Sequence, residues 1–182
     1  KHINQFLTNL SNQTYQPKQT ILLLDNYPEE EKVILNNLIN LLGLNVNVLE
    51  DNSTNNVGTR TNLLVEQADT DIVLRMDDDD LYYPHYIEYK LKSLLKHDVS
   101  LTGNKTILTK DVRDGSVGLY LPDYNRGNST CISGTICFHR DEYLRVGGMG
   151  DELQGSGNYF QNKLVEKGGT LTSSDMFNYL LV

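Results

Sequence analysis

The stretch Arg75–Pro84, with the sequence RMDDDDLYYP, decides the fold because it joins four consecutive carboxylates to a strand and a helix. The apolar run Ile72–Leu74 precedes it and is typical of a buried strand, while Pro84 suits the first turn of a helix. Crowding the carboxylates of Asp77–Asp80 costs on the order of several kcal/mol unless a cation or hydrogen-bond donors compensate. Such oxygen ligands suit Mg²⁺ or Mn²⁺, which often bridge a carboxylate to a substrate phosphate. The stretch therefore predicts a metal–phosphate site at the carboxyl end of a strand.

The alternation of side chains along an extended backbone sorts the four carboxylates into pairs. Asp77 and Asp79 are expected on one side of the run, and Asp78 and Asp80 on the other. A solvated acidic turn, or an acidic helix N-terminus, is the alternative interpretation. The position directly after an apolar strand favours metal–phosphate binding over both.

Length and charge restrict the class of protein. A chain of 182 residues suits one domain with a sizeable core, and its hydrophobic content of 38% is low but still globular. The formal net charge of -8 argues against nucleic acid or an anionic membrane surface as the main partner. An acidic protein that binds a nucleotide needs a cation between the two, which agrees with the acidic run.

Cysteine spacing and hydropathy indicate the compartment. Cys131 and Cys137 lie in a β-like run, where an even spacing points them the same way but too far apart for a disulfide. We expect buried free thiols, which suit a reducing compartment. No apolar run approaches the length of a membrane span. These features predict a cytoplasmic protein or a soluble domain of a larger one.

The order of elements predicts an α/β fold. Apolar runs at 20–24, 46–49 and 72–74 read as buried strands, and amphipathic helices alternate with them. The second half is more irregular, with a hairpin turn at Asp114–Gly115. We predict one domain over residues 1–182, with a mixed sheet covered by helices on both faces. Residues 1–98 form its nucleotide-binding half and residues 99–182 its acceptor-binding half.

Several motifs recur in an order that resembles a known family. They are Asp25-Asn26 after a strand, Gly58–Asn62 before a helix, Asp77–Asp80 before Leu81–Pro84, Gly134–Arg140, and Val146–Met149. The chain resembles a family-two glycosyltransferase with the GT-A fold over nearly its whole length. The resemblance implies a nucleotide-sugar donor, most often a UDP-sugar, and a divalent Mn²⁺ or Mg²⁺ ion. It implies inverting transfer to a hydroxyl group of a glycan, a protein or a small molecule.

The resemblance also implies roles for residues that hold the nucleotide. Asp25 falls where the family contacts the nucleoside base. Arg60 and Asn62 fall near polar residues that help to hold the nucleotide, although the spacing of the Arg is unusual. Asp78 or Asp77 would approach the ribose.

The metal pair follows from the family's D-x-D motif. Asp77 and Asp79 match that pair, and Asp79 is the stronger candidate for direct contact with the metal. The motif with its following aromatic residues and proline is the most specific part of the resemblance.

The catalytic base is a departure from the family. The family usually carries Glu-Asp just before the last helix, where this chain has Ser156–Gly157. The nearest carboxylates are Asp151 and Glu152, in a glycine-rich loop that can bend inward. We expect Asp151 to act as the base; the alternative is that it caps a turn at the surface.

A second departure concerns the N-terminal side. The resemblance implies a first strand, ending at the nucleotide, that is absent before Lys1 and would lie upstream. Two other functions stay open. One is a catalytically inactive donor-binding or scaffold domain of a larger protein, and the other is a sugar-phosphate nucleotidyltransferase.

Overall fold

The computed structural model describes residues 2–52, 56–120, 131–151, 156–174 and 179–181. The helices in this part are α1 (Ile3–Ser11), α2 (Glu29–Leu41), α3 (Val57–Glu66), α4 (Tyr86–His97), α5 (Arg140–Val146) and α6 (Ser156–Glu166). The strands are β1 (Thr20–Asp25), β2 (Val46–Asp51), β3 (Ile72–Leu74), β4 (Leu81–Tyr82), β5 (Leu101–Asn104), β6 (Ile107–Lys110), β7 (Val117–Tyr120), β8 (Cys137–His139), β9 (Leu171–Ser174) and β10 (Tyr179–Leu181). A short 3₁₀-helix, Ser133–Thr135, precedes β8.

The first half forms from local signals. Helix α2 begins after Pro28 with three glutamates in its first turn, where negative charge suits the helix dipole. It ends before Gly43, whose φ of +63° is one that glycine adopts readily. Strands β1 and β2 pair in parallel, in a register that places Asp25 opposite Asp51. Two carboxylates therefore leave adjacent strands at the same edge.

Strand pairing in the remainder is mixed. One sheet has the order β3-β8-β5-β9, in which β8 lies antiparallel to β3 and β5, and β5 is parallel to β9. A second sheet has the order β4-β10-β6-β7, with only β10 and β6 parallel. The hairpin between β6 and β7 turns at Gly115, which has a φ of +74°. The predicted α/β class with a mixed sheet is confirmed.

Two apolar clusters stabilise these layers. The first packs α1, α2 and β1 against the aromatic residues Tyr82, Tyr86 and Tyr179. The second gathers around Phe138, which stacks on Tyr143 with ring centroids 4.8 Å apart. In the part of the chain that the structure describes, no helix has the length and apolar character to cross a membrane.

The two cysteines are buried and free, as predicted. The sequence-based argument against a disulfide placed both cysteines in one β-like run, and this placement was wrong. The 3₁₀-helix Ser133–Thr135 lies between Cys131 and Cys137, so strand alternation does not apply. Burial raises the pKa of the Cys137 thiol to about 12, which favours the unreactive neutral form.

A cavity of about 620 Å³ lies between β1 and β3. Its walls include Thr20 and Ile21 of β1, the whole of β3, and Phe6 and Leu10 of α1. Among the described residues, β1 pairs only with β2, and β3 only with β8. All three apolar residues of β3 are consequently only half-buried. Arg60 and Asp77 also line this cavity, so the cavity extends to charged residues near the carboxyl ends of β1 and β3.

Candidate functional site

Arg60 joins the ends of the two parallel strands. Its Nη1 lies 2.8 Å from Asp25 Oδ2, and its Nε lies 3.2 Å from Asp51 Oδ2. The hydrogen bond to Asp25 is the main cause of the raised pKa of Arg60. Burial partly opposes this rise, and Asp51 adds a smaller contribution to it. The structure therefore brings together Asp25 and Arg60, two of the predicted nucleotide-binding residues.

Arg75 neutralises the first carboxylate of the acidic run. Its Nε donates to Asp77 Oδ1 at 3.0 Å, and its Nη1 donates to Ser133 Oγ at 3.0 Å. The backbone N–H of Asp77 donates to the hydroxyl oxygen of Tyr82 at 2.7 Å. Asp77 is therefore held by its own neighbours, and 32% of its side chain stays exposed.

Asp80 turns into the core, with only 1% of its surface exposed. The hydroxyl of Tyr179 donates to its carboxylate. The amide of Asn9 in α1 donates to its backbone carbonyl at 2.7 Å. The expected alternation of the four side chains was wrong, because the backbone bends at Asp78–Asp80 rather than running as a strand.

Asp78 and Asp79 occupy the outer side of this bend, and both are exposed. Neither side chain has a hydrogen bond or an ion pair with another described residue. Tyr27, just after β1, has a raised pKa, caused mainly by burial and by Glu31, with a smaller contribution from the charge of Asp78. The acidic run therefore lies near the end of β1, because Tyr27 follows Asp25 by two residues.

The donor set fits a divalent ion that is completed by substrate. No group of three His, Cys, Asp or Glu side chains in the described residues could hold a metal unaided. Mg²⁺ in proteins is usually bound by one or two carboxylates together with phosphate oxygens and waters. Asp79, which is exposed, and Asp78 and Asp77 beside it are the residues that could hold such an ion together with a substrate.

Asn62 is engaged within the protein. Its Oδ1 accepts from the hydroxyl of Tyr143 at 2.5 Å and from the N–H of Met149 at 2.9 Å, and its Nδ2 donates to Met149 O at 2.9 Å. These bonds hold the turn at Gly148, where φ is +69°. The nucleotide contact predicted for Asn62 stays a prediction, and the structure gives its amide a role in fixing this turn.

Asp151 lies at the N-terminal end of α3, the helix that carries Arg60. Its backbone carbonyl accepts a hydrogen bond from the side chain of Asn56, and Asn56 caps the helix by accepting from Thr59 N at 2.9 Å. The Asp151 carboxylate is exposed and has no hydrogen bond or ion pair with a described residue. Glu152 lies outside the described residues.

The start of α6 is crowded at Gly157, the position where the resemblance predicts the family's catalytic carboxylate. A Cβ atom on Gly157 would overlap the Oγ of Ser133. The Oγ of Ser133 accepts a hydrogen bond from Arg75, and Arg75 in turn forms an ion pair with Asp77. Gly157 therefore lets α6 approach the 3₁₀-helix at Ser133 closely.

Sequence reasoning missed Arg75, Tyr82 and Tyr179 as partners of the acidic run. Arg75 could have been found, since a cation two positions before an acidic run is a ready counter-charge. Tyr179 could not, because it lies 99 positions from Asp80 and nothing in the local pattern pairs them.

Comparisons with solved structures identify the fold. The structure of S. aureus TarS matches with a TM-score of 0.77 at 18% identity, over 100% of this chain and 34% of that one. A mannosyltransferase from Pyrobaculum calidifontis, in complex with GDP-Man and Mn²⁺, matches with a TM-score of 0.75 at 15% identity, over 98% and 52%. Residues 1–349 of TarS have been solved with UDP and with UDP-GlcNAc, and they match over 57% and 54% of their length. At these identities the likeness establishes the GT-A fold alone.

The chain spans between about a third and 57% of the length of these solved chains. No curated protein matches its sequence significantly. The family model described as "Glycosyl transferase family 2" matches residues 1–141, which is more than half of the sequence. The chain belongs to glycosyl transferase family 2.

Proposed function

We propose that the chain transfers a sugar from a nucleotide-sugar, most simply a UDP-sugar, to a hydroxyl acceptor with the help of Mn²⁺ or Mg²⁺. The observation that carries the proposal is the pair of exposed carboxylates, Asp78 and Asp79, held between Asp77 and the buried Asp80. Solved neighbours bind UDP, UDP-GlcNAc, or GDP-Man with Mn²⁺, which supports a nucleotide-sugar donor. Family membership favours glycosyl transfer over nucleotidyl transfer.

The donor is held by the strand ends in this proposal. Asp25 reads the nucleobase, and Arg60 helps to hold the nucleotide while its Nη1 fixes the carboxylate of Asp25 at 2.8 Å. Asp77 or Asp78 hydrogen-bonds to the ribose. Asp79, with Asp77, holds the divalent ion, which offsets the charge that develops on the leaving diphosphate.

The acceptor hydroxyl is deprotonated by a carboxylate on the side opposite the diphosphate, which gives inversion. Asp151 is proposed for this role because its carboxylate is exposed and has no ion pair with a described residue, and because its backbone carbonyl is bound by Asn56 at the start of the helix that carries Arg60. Glu152 is the second carboxylate of that loop.

A second candidate is a donor-binding domain without turnover. It is favoured by Gly157, since the position where the family usually carries its base cannot hold a longer side chain without displacing Ser133. Donor hydrolysis separates the two functions. A transferase slowly releases UDP from its donor in water, whereas a binding domain leaves the donor intact.

The test of donor binding is thermal unfolding with a panel of nucleotide-sugars. A ligand at 100 times its Kd stabilises the folded state by about 2.7 kcal/mol, or roughly 5–10 °C for a domain of this size. We expect a UDP-sugar with Mn²⁺ to give such a shift, and EDTA to abolish it. No shift with any nucleotide-sugar, with or without metal, would overturn the proposal.

A further inference from the structure

Asp80 is the one carboxylate among the described residues that is fully buried. A buried carboxylate is costly unless hydrogen bonds satisfy it. The hydroxyl of Tyr179 donates to it, and the Asn9 amide holds its carbonyl at 2.7 Å. This residue, although part of an acidic run, therefore faces away from any substrate.

The partner of Asp80 is delivered by strand pairing. Strand β10 runs antiparallel to β4, in a register that places Tyr179 opposite Tyr82. The two rings pack with centroids 5.2 Å apart, and Tyr86 completes the cluster with its centroid 4.7 Å from that of Tyr82. The acidic run thus bends over a buried platform of three tyrosines.

Two of these tyrosines hold opposite ends of the run. Tyr82 accepts from the N–H of Asp77 at 2.7 Å, and Tyr179 donates to the carboxylate of Asp80. Between these two anchors, Asp78 and Asp79 have no hydrogen bond or ion pair with a described residue. Repulsion between adjacent carboxylates would otherwise favour a more open backbone.

We propose that Asp80, Tyr82 and Tyr179 are positioning residues that hold the run bent, so that Asp78 and Asp79 are presented together to a metal–nucleotide ligand. The inference rests on the proposed function for its ligand, and on the contacts above for its geometry. It connects β10, near the end of the described chain, to the carboxylates that follow β3. Tyr86 has no such role, because its buried hydroxyl has no hydrogen-bond partner in the described part of the chain.

The test compares Tyr179→Phe and Tyr82→Phe with the control Tyr86→Phe, which removes a hydroxyl from the same cluster. Loss of groups that orient metal ligands typically costs 10–100-fold in metal affinity. We expect titration calorimetry to show Mn²⁺ affinity, in the presence of UDP, falling at least about 10-fold in the first two variants. The control should stay within about twofold of the unsubstituted protein. Equal affinities in Tyr179→Phe and Tyr86→Phe overturn the inference, and Tyr82→Phe decides it if Tyr179→Phe does not fold.

A second readout needs no ligand. Amide hydrogen exchange across Asp77–Asp80 should be faster in Tyr179→Phe than in the unsubstituted protein, and unchanged in Tyr86→Phe. Unchanged exchange in both variants overturns the inference. If the unsubstituted protein binds neither Mn²⁺ nor UDP, the proposed function fails, while the exchange measurement still decides the positioning roles.

Discussion

Arg60 in α3 forms ion pairs with both Asp25 and Asp51, and its Nη1 lies 2.8 Å from Asp25 Oδ2. The parallel register of β1 and β2 places these two carboxylates side by side, so a single guanidinium can hold both. Asp25 is half-exposed, so one face of its carboxylate stays accessible while Arg60 fixes its orientation. This arrangement suits a carboxylate that accepts hydrogen bonds from a base.

Asp25→Ala should weaken the binding of uridine nucleotides by about 1–3 kcal/mol, the cost of leaving a polar contact unmade. Calorimetric titration with UDP and with GDP measures the effect and its specificity. Glu29→Ala, which removes the exposed partner of Lys32 in α2, is the matched control and should bind UDP normally. Equal losses for both nucleotides, or no loss, would contradict a role for Asp25 in reading the base.

Asp79→Asn should abolish Mn²⁺-dependent nucleotide binding without unfolding the protein. The side chain is exposed and unpaired among the described residues, so its replacement breaks no internal contact. Removing one of four adjacent charges relieves repulsion, so we expect equal or higher thermal stability. Asp114→Asn, in the turn between β6 and β7, is the control. Unchanged UDP affinity and metal dependence in Asp79→Asn would show that Asp79 is not the metal ligand.

The elements that the sequence predicts well are those formed by local signals. The apolar runs at β1, β2 and β3 predict these strands, and the glycine after α2 predicts where that helix ends. Each signal lies inside or next to the element that it predicts. The two-residue strand β4 was missed, because only its pairing with the distant β10 defines it. Strand β9 was missed likewise, since it depends on a parallel pairing with β5.

The residues of the site also divide into those that local signals predict and those that depend on distant partners. Charge and family pattern are enough to predict Asp25, Arg60 and the acidic run. The structure pairs Arg60 with Asp25, and Arg60 and Asp77 line one cavity. Which carboxylate of the run is buried depends on a tyrosine far along the chain, and local alternation placed Asp80 wrongly. That Gly157 carries no carboxylate can be read from the sequence, whereas the overlap that a side chain there would make with Ser133 is seen only in the structure.

Gly58→Ala should destabilise the protein although it lies inside a helix. Alanine favours an exposed helix interior by up to about 1 kcal/mol over glycine. At Gly58, however, an added Cβ would overlap the carbonyl oxygen of Gly150. This oxygen belongs to the backbone, so it cannot move aside as a flexible side chain could. We expect a net loss of about 1–3 kcal/mol, as for overpacked sites, measured by denaturant unfolding.

The control for this prediction is Gly118→Ala in β7. Its added Cβ would meet only Thr109 Oγ1 at 3.7 Å, an ordinary contact. That variant should unfold within about 0.5 kcal/mol of the unsubstituted protein. Equal stability of the two variants would show that α3 and the Gly150 loop are less tightly packed than the structure has them.

The cavity between β1 and β3 leads to a prediction about residues upstream of Lys1, where the resemblance implies a further strand. Each strand has an edge that pairs with no described strand and faces a largely apolar space, and α1 covers this space with Phe6 and Leu10. A strand followed by α1 and then β1 would form a parallel crossover, the common way to fill such a gap. Hydrogen exchange should show Ile21–Leu24 and Ile72–Leu74 better protected in a protein extended upstream of Lys1 by such a strand than in residues 1–182. Equal protection in the two proteins would contradict the prediction.

Asp151→Asn tests the proposed base. The substitution keeps the size of the side chain and the backbone carbonyl that binds Asn56, so α3 and Arg60 should stay in place. It removes the group that accepts a proton, and general-base catalysis contributes roughly 10²–10⁴-fold to the rate. We therefore expect kcat to fall by that factor, while the affinities for the donor and for Mn²⁺ stay unchanged in calorimetry. Glu142→Gln in α5, a carboxylate bound to Arg145, is the control and should keep full turnover. Full activity of Asp151→Asn would exclude it as the base, and an unsubstituted protein that binds UDP-sugars but never consumes them would favour the donor-binding function that the crowding at Gly157 suggests.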